Sequence, residues 1–133
     1  MAIRLTPAEF ACLGLSLAGF NEYRQKSSNT ATNLERFRGS YGASPETCAA
    51  VFEDLQTTNI ADAHMTKPNP RDFLMTFNWM KTYKTENQLA GHFGCVEKTA
   101  RKWIWEYTGR IRALKEQKVS LQMMTEIAAT LSN

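Results

Sequence analysis

Three cations, Lys98, Arg101 and Lys102, fall within five residues of one another in a stretch whose other side is apolar. At 100° per residue these three, with Trp105 and Arg112, occupy an arc of about 100° on a helix. Ala100, Trp103, Ile104, Tyr107, Ile111 and Leu114 occupy an equally narrow arc on the opposite side, which marks them as core. Lysine and arginine neutralise phosphates, and either can donate to guanine O6 and N7 in the major groove of a duplex. Base contacts concentrate near the N-terminus of a helix that enters the groove, so Lys98, Arg101 and Lys102 are the foremost candidates. The plainer alternative is an ordinary solvated helix face.

The charge of the whole chain is consistent with a polyanion partner. Its net value is +3 over 133 residues. Residues 81–118 carry 9 Lys/Arg against 4 Asp/Glu, residues 1–80 carry 7 against 8, and residues 119–133 carry only Glu126. All the excess positive charge therefore lies in one segment, as an electrostatic footprint for DNA would. Lys81, Lys84, Arg110 and Lys115 are either phosphate contacts or solvated charge; Lys84 joins the candidate set. Trp105, on the basic side, either packs against another part of the chain or is exposed to DNA or a partner.

The elements needed to hold this face are those of a helix-turn-helix. Ala90 is small enough for two helices to approach, Gly94 permits a left-handed turn four residues later, and Ala100 and Trp103 close the core from the second helix. Thr85 caps the first of these helices, running to Phe93 or Gly94, and Glu97 opens a long one reaching about Lys115. Ser120 is a candidate cap for a final helix.

Upstream, Thr6-Pro7, Ser44-Pro45 and Asn69-Pro70 each pair a cap with a proline in the first turn. They predict helices over residues 7 to about 23, 44 to about 56 and 70–83. Another helix should span 32 to 41, with Gly42 placed to stop it and residues 26–30 forming a polar link. Cys48, Val51, Phe52 and Leu55 share one face of the third helix. Phe73, Leu74, Met75, Phe77, Trp79 and Met80 surround the fourth, which should therefore be buried and central. No segment alternates strictly, so the expected class is all-α, a compact body of about six or seven helices. Its expected organisation is an N-terminal helical subdomain (1–56), a loop (57–69), a helix-turn-helix subdomain (70–118) and a C-terminal helix or tail (119–133). Gly39, Tyr41, Gly42, Ala43, Ser44 and Thr47 echo Gly91, Phe93, Gly94, Cys95, Val96 and Thr99, suggesting a second, degenerate unit. Its helix has Glu46, Ala49 and Ala50 where the later copy has Lys98, Arg101 and Lys102, so it reads as a packing element.

The function classes left out are several. No run approaches the roughly 18 apolar residues of a membrane span. The apolar stretch 11–20 raises the question of a signal peptide, but Glu9 and the helix start at Thr6 argue against one. Cys12, Cys48 and Cys95 are odd in number and widely spaced, so they read as small buried side chains of a reducing compartment. Cys95 with His92 is the one nucleophile and base close in sequence, and no acid is placed to orient the pair. Asp54, Asp62 and Asp72 have no strand context for a metal triad. We expect no catalytic residues, no metal and no cofactor.

Residues 74–118 resemble the helix-turn-helix region that precedes the catalytic domain of eukaryotic Harbinger-type (PIF/Harbinger) DDE transposases. The matching features are Trp79, Lys81-Thr82-Tyr83 with Thr85-Glu86, Leu89-Ala90 with Phe93-Gly94, and Glu97-Lys98-Thr99 followed by Arg101-Lys102-Trp103. Arg36-Phe37, Tyr41-Gly42 and Ser44-Pro45-Glu46 are similar to the family's N-terminal pattern, so the resemblance covers about residues 34–118. It implies recognition of duplex DNA through Lys98, Arg101 and Lys102, in the nucleus. The family's nuclease requires a separate ribonuclease-H-like domain with three metal-binding carboxylates, and that pattern is missing after Lys118. The expected function is thus a DNA-binding module without nuclease activity of its own, acting alone, as a homodimer or with a separately encoded nuclease. The alternative is a protein-interaction module on the same scaffold, with Leu121, Met124, Ala128 and Leu131 at near-heptad spacing for self-association.

Overall fold

Side chains that cap their own helices start nearly every element of the fold. A computed structural model describes residues 3–20 and 29–131, and of residues 117–122 and 131 only the backbone. Helix α1 (Pro7–Leu17) opens on a reciprocal box in which the Thr6 hydroxyl accepts from the Glu9 amide and the Glu9 carboxylate accepts from the Thr6 amide. Asn29 caps α2 (Thr30–Tyr41), Ser44 caps α3 (Pro45–Thr57) and Asn69 caps α4 (Pro70–Thr82). A second box, Thr85 with Gln88, starts α5 (Glu86–Phe93), and α6 runs unbroken over Glu97–Leu131. Six α-helices and no strand are present among the described residues, so the class is all-α.

The helix ends differ from expectation at three places. Helix α1 stops at Leu17, because Ala18 caps it and Gly19 turns the chain at φ +95°. Residues 21–23 of the expected helix lie outside the described residues. Asn29, expected within a polar link, caps α2 instead, its side-chain oxygen Oδ1 accepting from the Ala31 and Thr32 amides. The break expected between Lys115 and Ser120 is absent: neither glycine nor proline interrupts the stretch, and α6 continues through Ser120.

Helix α4 is central as expected, although Phe77, Trp79 and Met80 are only half-buried. Phe73, Leu74, Met75 and Thr76 are fully buried, and the helix packs against α1, α2, α5 and α6. The Phe73 ring lies 5.9 Å from Phe10 of α1, 5.2 Å from Phe52 of α3 and 6.0 Å from Tyr107 of α6. One core therefore runs through both halves of the chain. The loop after α3 is fastened to it: Ala63, Met65 and Pro68 are buried, and the Arg110 guanidinium donates to the His64 and Ala61 carbonyls. Arg110, expected to contact phosphate or solvent, is thus a tether, also paired with Glu106 at 2.8 Å. At the end of the loop the Tyr107 hydroxyl accepts from the Asn69 amide at 2.7 Å, which holds α6 to the start of α4.

Polar groups finish the packing between α1, α2 and α4. The Tyr41 hydroxyl donates to the Gly14 carbonyl at 2.6 Å, and Asn78 donates to the Ser40 carbonyl at 2.7 Å. Burial pushes the Tyr41 phenol well above its ordinary range, and likewise lifts the Cys48 thiol to about 12. Gly14 itself is a close-approach position. A Cβ there would collide with the Phe37 ring and lie 2.9 Å from Tyr41, whereas one at Gly109, in the interior of α6, would meet nothing within 4 Å. Alanine is the better helix former at both sites, by roughly 0.5–1 kcal/mol. The clash reverses that gain at the first. Gly14→Ala is expected to lower stability by about 1–3 kcal/mol in denaturant unfolding, and Gly109→Ala to raise it by up to about 1 kcal/mol. Equal effects of the two substitutions would refute the close contact.

The cysteines divide three ways. Cys48 is buried as expected, Cys95 is half-buried, and Cys12 is exposed, contrary to the expectation that all three are core. The echo between the two halves is real at the turn: Gly42 and Gly94 both end their helices in the left-handed region, at φ +75° and +71°. It does not extend to packing. Helix α5 packs on α6, whereas α2 packs chiefly on α1 and α4, and α3 on α1 and α6.

Candidate nucleic-acid interface

The turn between α5 and α6 is built by backbone hydrogen bonds around Gly94, which takes the left-handed conformation. The amides of Gly94 and Cys95 both donate to the Ala90 carbonyl, closing the C-terminus of α5 before Glu97 starts α6. Leu89, Ala90 and Phe93 of α5 then meet Ala100 and Ile104 of α6 in the core, with Tyr107 and Leu114 buried further along. Trp103 and Ile111 are half-buried beside them. This is the helix-turn-helix arrangement predicted from the small residue, the glycine and the apolar arc.

Burying that arc leaves the opposite one in water. Lys98, Lys102 and Arg112 are exposed, and among the described residues none of them stands in an ion pair. The Lys102 ammonium lies 4.9 Å from the centre of the Trp103 ring, a cation–π contact that leans it along the helix. Trp105 does not pack into the body. It is 73% exposed and stands in the same cationic row, which removes packing against the body from the two roles open to it.

Arg101 differs from its neighbours. Its Nε and Nη2 lie 2.7 and 2.6 Å from one oxygen of Glu86, at the start of α5, and Glu97 follows at 3.9 Å. Hydrogen bonding within this pair holds the Glu86 carboxyl below the usual range and the Arg101 guanidinium above it. So Arg101 sits at the edge of the face, already partnered, and not free within it. The Glu86 partner was missed by reasoning from the sequence, since the two residues are 15 apart and meet only across the turn.

Between the pair and the tryptophan row lies a cleft of about 240 Å³, bounded by Trp79, Glu86, Arg101, Ile104, Trp105 and Arg112. Lys84, on the segment joining α4 to α5, is only half-exposed and adds to the potential around His92. Burial first and Lys84 second hold the His92 imidazole below its ordinary value. Lys81 and Lys115 are exposed.

The nucleophile and base close in sequence are each engaged elsewhere. The Cys95 sulfur lies 4.0 Å from that of Met75, and burial raises its thiol above the ordinary range. The His92 ring instead meets the backbone of Leu17. Asp54, Asp62 and Asp72 lie on α3, on the loop and on α4, and no metal-binding group of three or more His, Cys, Asp or Glu occurs among the described residues. Nor is any helix among those residues long and apolar enough to cross a membrane.

Beyond the core, α6 carries a different surface. Residues 123–130 are all exposed, with Met123, Met124 and Ile127 the large apolar members. Of the near-heptad row, Met124 and Ala128 belong to this surface, and the side chains of Leu121 and Leu131 lie outside the described residues. No family model, curated protein or solved structure matches the chain.

Proposed function

We propose that this chain is a non-enzymatic module that binds duplex DNA by laying the N-terminal part of α6 in the major groove. The observation that carries the reading is the water-facing side of that helix. Lys98, Lys102 and Arg112 stand exposed and, among the described residues, free of acid partners opposite the apolar arc, with Arg101 at their edge. A helix second in a helix-turn-helix presents that side to a groove about 12 Å wide, which admits one α-helix. In this reading Lys98, Arg101 and Lys102 face base edges, Arg112 and Lys84 neutralise phosphates, and Trp105 packs against the sugar–phosphate wall.

The resemblance to Harbinger-type transposases supports the same role and extends it. The chain would supply the DNA-reading function of such an element in the nucleus, and a separately encoded nuclease would do the cutting. A second reading, a protein-interaction module, is favoured by one observation: the exposed Met123, Met124 and Ile127 at the far end of α6. Self-association there would pair two reading heads without altering the first proposal.

The test is a titration of the intact chain with labelled random-sequence duplex between about 50 and 200 mM salt. Binding by cations on phosphates gives a logarithm of affinity that falls linearly with the logarithm of salt, at a slope of about −0.9 per phosphate neutralised. Absence of any retained duplex near the low end of that range, or affinity indifferent to salt, would sink the DNA reading.

A further inference from the structure

The Glu86–Arg101 pair joins the first residue of α5 to the recognition face of α6, and its geometry selects which edge of the guanidinium remains available. Guanidinium carries five donors along its edges. Here Nε and Nη2 both point at a single oxygen of Glu86, at 2.7 and 2.6 Å, so the side edge is occupied. The end edge, made by Nη1 and the second hydrogen of Nη2, is left with two nearly parallel donors. That edge matches the two adjacent acceptors, O6 and N7, which guanine alone offers side by side in the major groove. Glu97, 3.9 Å from Nη2, is too far to hydrogen-bond and adds negative charge nearby.

We propose that Glu86 is a positioning residue that gives Arg101 a preference for guanine, an inference that rests on the DNA-binding reading. The pair sits on a rigid base, since α5 and α6 are locked by Leu89, Ala90, Phe93, Ala100 and Ile104. Two effects follow. The arginine is held near the conformation needed for a bidentate contact, so less rotamer freedom is lost on binding. The carboxylate also repels a phosphate that would otherwise draw Arg101 to the backbone, so contacts that carry no sequence information are disfavoured relative to guanine. A solvent-exposed ion pair adds little to folding stability, so its removal should be read in sequence preference and not in unfolding.

The experiment selects bound fragments from a random duplex pool with the full chain, and repeats the selection with Glu86→Gln, Glu86→Asp and Arg101→Lys, with thermal unfolding of each. The expected wild-type motif contains a guanine that Arg101→Lys loses. Glu86→Gln lowers preference at that position roughly tenfold, leaves the other positions intact and leaves affinity for random duplex unchanged or higher. Glu86→Asp keeps the charge but withdraws the oxygen by one methylene, and is expected to lose the same position. Guanine preference undiminished in both Glu86 variants overturns the inference while leaving DNA binding standing, as does an Arg101→Lys motif equal to wild type. A wild-type selection that retains no duplex overturns the DNA reading itself.

Discussion

Replacing Phe73 with alanine is expected to cost about 3–5 kcal/mol of folding stability, the range found when a large aromatic is removed from a packed core. The ring is fully buried and touches Phe10, Phe52, Phe77 and Tyr107, contributed by α1, α3, α4 and α6. Removing it therefore opens a void where four helices meet, and none of them can close it without breaking other contacts. Native domains are stable by only about 5–15 kcal/mol. The variant should thus lose a large share of its folded population on modest warming. Trp105→Ala is the matched control, since that side chain is mostly in water and its loss should change stability by no more than about 0.5 kcal/mol. Both are read from the denaturant midpoint at unchanged slope. A cost below about 1.5 kcal/mol for Phe73→Ala would mean that the two halves of the chain do not share this core.

The cluster around Phe73 also explains why much of the fold was legible. A helix apolar on every side can only be central, so the place of α4 followed from its composition. Caps were equally legible where Thr6, Ser44, Asn69 and Thr85 precede a proline or a returning Glu or Gln. Asn29 has neither signal, and it lies in a run of polar residues that suits a link as well as a cap. At the end of α1, Leu17 is followed by further apolar residues, and the stop depends on Gly19 adopting a positive φ that pattern alone does not reveal. Serine serves as a cap only where its own backbone is non-helical, so Ser120 inside α6 gave a false start.

The two faces of α6 were legible for the same reason. A period of about 3.6 residues separates the Ala100 arc from the cationic arc without reference to any other helix. What period cannot supply is a neighbour on a different element. Trp105 could have packed against the 57–69 loop, but Arg110 and the buried Ala63, Met65 and Pro68 fasten that loop without covering the indole. Arg101 lies at the edge of the exposed face, and the packing of α5 on α6 brings Glu86 to it.

That distinction decides in which cations the proposed DNA binding is best tested. Changing Lys98, Lys102 and Arg112 together to glutamate removes three cations and adds three anions on a face where, among the described residues, none of the three has a carboxylate partner. Affinity for duplex DNA near physiological salt is expected to fall at least about 100-fold, and the salt slope to shallow by about one unit for each phosphate no longer neutralised. Because all three side chains are exposed and outside the core, the variant should unfold close to the wild-type midpoint. Arg101 is deliberately left in place, since reversing it would set three carboxylates against one another at positions 86, 97 and 101 and confound binding with stability. A folded triple variant that keeps wild-type affinity and slope would show that the cationic face of α6 is solvated charge, and the surface around Met123, Met124 and Ile127 would then become the better guide to function.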